Sequence, residues 1–460
     1  MVRAVALYGP VALVALSCAL RMPSRRRATA ALLACAWTLP SLVFVNVVAQ
    51  HAGWWRFTHG AGALLGMPVE LLLGWVVLWG ALPVIAAPRW PLAAIVAALA
   101  ALDVAAMPVL QPVLRLGDRW LVGEVVAIAV VLIPAQLLAH WTWRKRRVAL
   151  RAAMQATVFA ALMLWLLPEV IFLYTHGSWS HLMATWNAFG GVHLQLALLP
   201  AVMGLSAVQE FAVRGRGTPV PFDPPRRLVT TGPYAYIANP MQLSMALVLT
   251  GWGLVLGSLW VALAGPMSFV YSFGLAAWDE ESDLGERFGA PWREYRTHVR
   301  AWIPRLRPYH PACHPEPRRC ARGELREGSA PRSCSARLYV AETCGPCAEV
   351  AAWFAARHPR GLEIVPAEQH PSRDLERITY DPGDDSPDEE GVAAVARALE
   401  HVHLGWAVLG WTMRLPVMRP ILQLIVDASG GAPRRIPRAS RVAGVSLVAS
   451  SDACARYEGA

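Results

Sequence analysis

Residues 119–141 read Arg119-Trp-Leu-Val-Gly-Glu-Val-Val-Ala-Ile-Ala-Val-Val-Leu-Ile-Pro-Ala-Gln-Leu-Leu-Ala-His-Trp141, and a basic cluster, Arg144-Lys-Arg-Arg147, follows closely. An apolar run of about 17–25 residues spans the hydrocarbon core of a bilayer as a helix. Lysine and arginine accumulate in cytoplasmic loops, so the cluster marks the side on which such a helix ends. The stretch predicts a membrane helix that leaves the bilayer on the cytoplasmic side.

Working outward, eight more runs of this kind lie near residues 4–20, 28–48, 61–87, 90–113, 152–175, 189–213, 238–257 and 260–278. The first has its basic flank, Arg21 and Arg25 to Arg27, on the C-terminal side and lacks a small-residue cleavage site, so it reads as a span and not as a signal peptide. Arg89 follows the third run, and Arg214, Arg216, Arg226 and Arg227 follow the seventh. With alternating spans these all share the side of Arg144–Arg147. The opposite loops hold only Arg56 and Arg115. The expectation is a mainly α, polytopic bundle of nine spans, N-terminus out and C-terminus in. Lys145 is the only lysine, the mark of a GC-rich genome, and points to a bacterial cytoplasmic membrane.

Composition agrees. Hydrophobic residues make up 55% and charged residues 16% of the chain, against about 25% charged in soluble proteins. An ordinary soluble enzyme, a fibrous chain and a disulfide scaffold are excluded. The net charge of +10 lies in loops and forms no groove interleaved with aromatics, so nucleic acid is not an expected partner.

The seventh run ends in a loop rich in proline, glycine and aromatics that closes on Gly232-Pro-Tyr-Ala-Tyr-Ile-Ala-Asn-Pro240. A helical hairpin follows, then Trp278-Asp-Glu-Glu-Ser-Asp-Leu284. A hairpin returns its second end beside its first. Asn239 is therefore expected to meet Glu280 and Glu281 at the cytoplasmic membrane surface. An amide, two carboxylates and several aromatics suit a ligand with an ammonium, a carboxylate and a flat base, and S-adenosylmethionine has all three. On charge spacing alone the alternative stays open that the two acids only flank a helix end in water.

These blocks resemble the isoprenylcysteine carboxyl methyltransferase and phospholipid methyltransferase group of integral membrane enzymes. Their pattern runs Gly-Pro-Tyr-x-Tyr-x-Arg-His-Pro-x-Tyr, then Glu-Glu-x-x-Leu, Phe-Gly, Tyr-x-x-Tyr and Ile-Pro. Gly232, Pro233, Tyr234, Tyr236 and Pro240 match the first block; Glu280, Glu281, Leu284, Phe288, Gly289, Tyr295, Ile303 and Pro304 match the second. Ala238, Asn239 and Gln242 replace the arginine, histidine and tyrosine of the first block, and Trp292 replaces a tyrosine of the second. The resemblance covers residues 152–307. It implies a membrane methyltransferase that binds S-adenosylmethionine through Gly232, Tyr234, Tyr236, Asn239, Pro240, Glu280 and Glu281. It also implies a lipid-like or isoprenoid-linked acceptor (carboxyl, thiol or amine) that enters from the bilayer. The matched blocks carry no evident strong base, which fits a carboxylate or thiolate acceptor.

Residues 308–334 read as a basic linker rich in proline and arginine, able to rest on anionic lipid. A second unit follows at 335–435, with a tail at 436–460. A β-prone run, Ala336–Ala341, leads into Cys344-Gly-Pro-Cys347, a helix follows to Arg357, Gly361–Val365 reads as a second strand, and 391–414 and 417–427 look helical. A cysteine at a helix N-terminus is held toward thiolate, so Cys344 would attack and Cys347 resolve, with a partner thiol as substrate. The unit resembles thioredoxin-like proteins, and in layout the DCC family of thiol-disulfide oxidoreductases. Cys313, Cys320 and Cys334 do not complete a second close pair, so no metal site is expected.

Residues 1–150 resemble no known family. Glu70, Asp103, Glu124, Glu169 and His193 lie in or near apolar runs. Intramembrane ionisable groups are costly and commonly functional. Two alternatives to the methyltransferase thus stand: a membrane-tethered thiol-disulfide oxidoreductase whose bundle is not catalytic, and a transporter using the embedded acids.

Overall fold

The computed structural model describes residues 2–58, 62–111, 113–189, 192–219, 223–271, 277–311, 335–384 and 386–438. They divide into two compact units, Met1–Cys313 with His403–Leu415, and His314–Val402 with Pro416–Ala460.

The first unit is helical. Among the described residues six helices are long and apolar enough to cross a membrane: α1 (Val2–Leu20), α2 (Arg25–Ala52), α3 (Val69–Ala86), α4 (Leu92–Val109), α5 (Trp120–Arg144) and α6 (Val148–Phe172). Next come α7 (Ser180–Phe189), α8 (Val192–Val213), α9 (Pro240–Val255), α10 (Leu259–Tyr271), α11 (Ala277–Phe288) and α12 (Ala290–His298). The last three expected spans fall on α8, α9 and α10, whose described apolar stretches are Ala197–Val213, Pro240–Val255 and Leu259–Val270. The limits of α9 have local causes. Pro240 opens α9 at its first turn, where its missing N–H costs nothing, and the turn after α9 needs Gly257 at φ +61°. Between α5 and α6, Lys145 and Arg147 both adopt left-handed backbone and reverse the chain.

Three long helices share one device. Pro83, Pro134 and Pro168 lie inside α3, α5 and α6, and each is preceded by a π-turn, at Val77–Ala81, Ile128–Leu132 and Leu162–Leu166. A proline ring excludes the carbonyl four residues back and removes its donor, so the helix widens there. In each case a neighbouring helix supplies a new donor to that carbonyl. Gln136 Nε2 donates to Trp79, Trp37 Nε1 donates to Val130 at 3.0 Å, and Trp252 Nε1 donates to Leu164 at 2.8 Å. The freed groups thus become interhelical ties, which an apolar solvent requires.

Helix α2 is the centre of the bundle and packs on α3, α5 and α6. Its Val43, Val45 and Ala49 join Leu72, Val76, Trp79, Val131 and Leu132 in the main core. One end of the bundle is closed by a short ladder of β1 (Trp55–Phe57) antiparallel to β4 (Leu114–Leu116), beside a small hairpin of β2 (Ala63–Leu64) and β3 (Met67–Pro68). Helices α9 and α10 form a close hairpin. A Cβ on Gly253 would lie 2.1 Å from the Ala262 nitrogen, and one on Gly265 would lie 2.4 Å from the Ala246 carbonyl oxygen, so only glycine allows this approach.

The second unit holds a four-stranded sheet in the order β6-β5-β7-β8. Strand β5 (Ala336–Val340) pairs parallel with β6 (Leu362–Pro366) and antiparallel with β7 (Thr379–Asp381), which pairs antiparallel with β8 (Glu389–Glu390). Helix α13 (Gly345–Ala355) joins β5 to β6, and α14 (Val392–Leu399) follows β8. Leu338, Tyr339, Phe354 and Tyr380 are buried, and the buried Arg397 bridges Glu389 and Glu400 at 2.9 Å each.

The sequence reading runs one helix through 391–414 and assigns it to this unit. Here the helix stops at Leu399. His403 then caps a new helix, α15 (Leu404–Arg414), by accepting from the Gly405 N–H at 3.0 Å. This helix packs with α8 of the first unit. A last helix, α16 (Met418–Val426), returns to the second unit.

Candidate functional site

The loop after α8 is anchored by an acid that the sequence reading did not single out. Glu210, fully buried in the last turns of α8, pairs with Arg214 at 2.9 Å and Arg414 of α15 at 3.7 Å, and accepts from the Thr231 hydroxyl. Gly232 passes directly over it at φ +61°, and a Cβ there would lie 3.2 Å from the Glu210 Cγ. Glycine at this position thus serves both the left-handed backbone and the close approach. The i, i+4 spacing of Glu210 and Arg214 was the visible signal, but such pairs are common on exposed helix ends.

Gly232–Ala235 form one tight helical turn, and the next residues run to Asn239. The segment after α12 is laid along this stretch as a strap. Ala238 N–H donates to the Arg300 carbonyl at 3.0 Å and Asn239 N–H to the Ala301 carbonyl at 3.2 Å. In return, Arg305 N–H donates to the Tyr236 carbonyl at 2.9 Å and Tyr309 N–H to the Ala235 carbonyl at 2.8 Å. The Tyr295 hydroxyl adds a bond to the Tyr234 carbonyl at 2.8 Å. Burial pushes that hydroxyl's pKa far above the ordinary tyrosine range, so it stays a donor. The two sequence blocks are therefore joined through backbone groups. The strap extends past Ile303-Pro304 to the buried Tyr309, a residue the sequence reading places in the linker.

The rings of the first block are packed. Tyr234 lies against Phe211, Ala207, Val229 and Met241, and Tyr236 stands edge-on to Trp411 at 5.7 Å. Asn239 is half-buried at the start of α9, and its carboxamide caps no helix N–H. Pro240 is buried beside it in the first turn. Glu280 and Glu281 lie on α11, but the side chains of 277–282 lie outside those described, as do residues 272–276. The frame around them is defined. Near the end of α10, Phe269 meets Trp302 of the strap at 4.9 Å, and at the far end of α11 Arg287 donates to the Pro225 carbonyl at 2.6 Å. Gly289 at φ +60° turns the chain into α12.

In the second unit Cys344 is the residue before α13, and its sulfur is bonded to that of Cys347 in the first turn. Cys344 also packs on the Tyr339, Ala341, Ala367 and Leu375 cluster. The residues ahead of β7, Glu376, Arg377 and Ile378, include no proline. Cys313, Cys320 and Cys334 lie outside the described residues, and so does the side chain of His193. Among the described residues no group of three or more His, Cys, Asp or Glu is placed to hold a metal. Of the embedded acids, Glu169 accepts from Trp179 Nε1 at 2.7 Å, Glu70 lies in the first turn of α3, and Asp103 and Glu124 are brought together.

Residues 187–290 match the model of a family described as phospholipid methyltransferase. This segment holds α8, the anchored loop, the α9–α10 hairpin and α11. The match spans less than a quarter of the chain. No curated protein and no solved structure matches.

Proposed function

We propose that this chain is an integral membrane methyltransferase that uses S-adenosylmethionine and acts on a lipid-like or isoprenoid-linked acceptor. The observation that carries the reading is the interlock of the two sequence blocks: five hydrogen bonds join Tyr234–Asn239 to Tyr295 and the 300–309 strap. The family match over residues 187–290 supports the same chemistry. The donor set suits the cofactor. The Asn239 carboxamide, unused by the helix, offers an N–H to a carboxylate, and Glu280 and Glu281 on α11 offer negative charge to an ammonium.

S-adenosylmethionine supplies a methyl carbon made electrophilic by its sulfonium. Held there, it would supply that methyl group to the acceptor. The chain's part is to align the two and exclude water. The strap does the first by fixing Asn239 relative to α9. The basic residues that follow α1, α5 and α8 support a cytoplasmic position for this face under the positive-inside rule.

The test is methyl transfer. Protein in lipid vesicles is given S-adenosylmethionine with a radiolabelled methyl group. Label in the organic extract, absent with Asn239→Ala, supports the reading, and no label with well-folded protein at any tested acceptor opposes it.

A second activity is proposed for the second unit. Cys344 and Cys347 begin a helix that follows the central strand of a mixed sheet, the arrangement a thioredoxin-like thiol-disulfide exchange site requires. Insulin reduction that persists in Cys344→Ser would remove this reading.

A further inference from the structure

The six-helix region holds a cavity that the methyltransferase reading does not use. It lies beneath the β1–β4 ladder, among α2, α3, α4 and α5. Small-molecule sites are mostly apolar with a few placed polar groups. Its walls include Trp55, Trp75 and Trp79, and its polar groups are Asn46, Asp103 and Glu124. Each of these three is at most 3% exposed. Trp75 Nε1 donates to Asp103 Oδ1 at 2.7 Å, which fixes that carboxyl, and the Glu124 carboxyl is within hydrogen-bonding reach of it. Glu124 Oε1 and Asn46 Oδ1 are buried and have no hydrogen-bond partner among the described residues.

Glu124 Oε1 and Asn46 Oδ1 thus face one space and lack donors, beside the Asp103 carboxyl that Trp75 holds. A buried acceptor left unpaired is costly, so the space calls for a ligand that brings N–H groups. Indole faces beside carboxylates favour an organic cation through the ring quadrupole. We propose that this cavity binds a protonated primary or secondary amine with an apolar substituent. Its ammonium would lie against Asp103, Glu124 and Asn46, and its substituent among the tryptophans. The source of the amine, a free metabolite or a lipid headgroup, shares this chemistry. None of the residues in the proposed methyl-transfer site lines the cavity.

The experiment is calorimetry on the detergent-purified full chain, with benzylammonium chloride and its neutral near-isostere benzyl alcohol as probes. The proposal expects saturable 1:1 binding of benzylammonium, at least tenfold tighter than the alcohol. Glu124→Gln and Asp103→Asn, checked for folding by thermal unfolding, should each weaken the ammonium at least tenfold and leave the alcohol unchanged. Phosphatidylethanolamine in nanodiscs that competes with benzylammonium would assign the headgroup source, and its failure to compete would assign the free amine. Equal affinity for both probes would reduce the site to an apolar hole. Absence of saturable binding, or ammonium binding kept in both variants, would overturn the proposal; the wild-type comparison of the two probes decides even if a variant fails to fold.

Discussion

Glu210 is one acid with three partners, Arg214, Arg414 and Thr231, under a glycine that leaves it no spare room. Removing one member of a buried charge cluster strands the others, at a cost of about 3–5 kcal/mol. Glu210→Ala is accordingly expected to lower the thermal stability of the detergent-solubilised protein by that order and to abolish methyl transfer; a neutral outcome in thermal unfolding would show that the arginines have other support. Tyr295 gives a prediction in pH. Its hydroxyl is buried and donates to Tyr234, so its folded pKa is raised above the unfolded value of about 10. Above that pH the unfolded chain loses a proton that the folded chain keeps, and stability falls as pH rises. Below it the contribution is constant. Tyr295→Phe should reduce the alkaline loss of stability and cost about 0.5–1.5 kcal/mol at neutral pH. The order of the candidate residues is plain in the sequence, where Gly232, Tyr234, Tyr236, Asn239 and Pro240 stand together. Their roles are less so, because a motif gives order along the chain and not the face a ring presents. The rings of Tyr234 and Tyr236 turn into packed cores, while the Tyr234 carbonyl accepts from Tyr295 and the Tyr236 carbonyl holds the strap.

At the scale of elements, the prolines were legible and their consequences only partly. A proline within an apolar run predicts a kink and a freed carbonyl, and Pro68 and Pro168 both stand in such runs. Pro68 instead precedes α3 and breaks no helix, whereas Pro168 does free the Leu164 carbonyl, which takes the Trp252 N–H. The donor sits 88 residues away in sequence, and no local pattern names it. Trp252→Phe keeps the ring and removes the donor, with an expected cost of about 0.6–2 kcal/mol in thermal unfolding. The α9–α10 hairpin is held by the close approach of Gly253 to Ala262. Gly253→Val must push the helices apart. The expected result is loss of activity at near-normal expression, since the two sequence blocks are joined through this hairpin. Hydropathy does not read where a helix ends: a window sees apolar residues, but α9 begins at Pro240 and stops before the turn at Gly257.

At the scale of the molecule, one compact unit holds the apolar helices and the other the CxxC pair, and the sequence reading assigns all of 335–435 to the second. The exception is α15. Its apolar residues fit either unit's surface, and periodicity alone does not say which. In the structure Ala407 and Trp411 pack with Val202, Ala235 and Tyr236. Trp411→Ala is therefore expected to destabilise the membrane unit, by about 3–5 kcal/mol, and to lower methyl transfer while leaving thiol-disulfide exchange intact. The central claim is that the anchored loop, the strap and α11 together form a cofactor site. Calorimetric titration of S-adenosylmethionine into the detergent-purified chain tests it most directly. The account predicts 1:1 binding in the micromolar range, weakened at least tenfold in Glu281→Ala and in Asn239→Ala. A well-folded wild-type protein that binds no S-adenosylmethionine would contradict it.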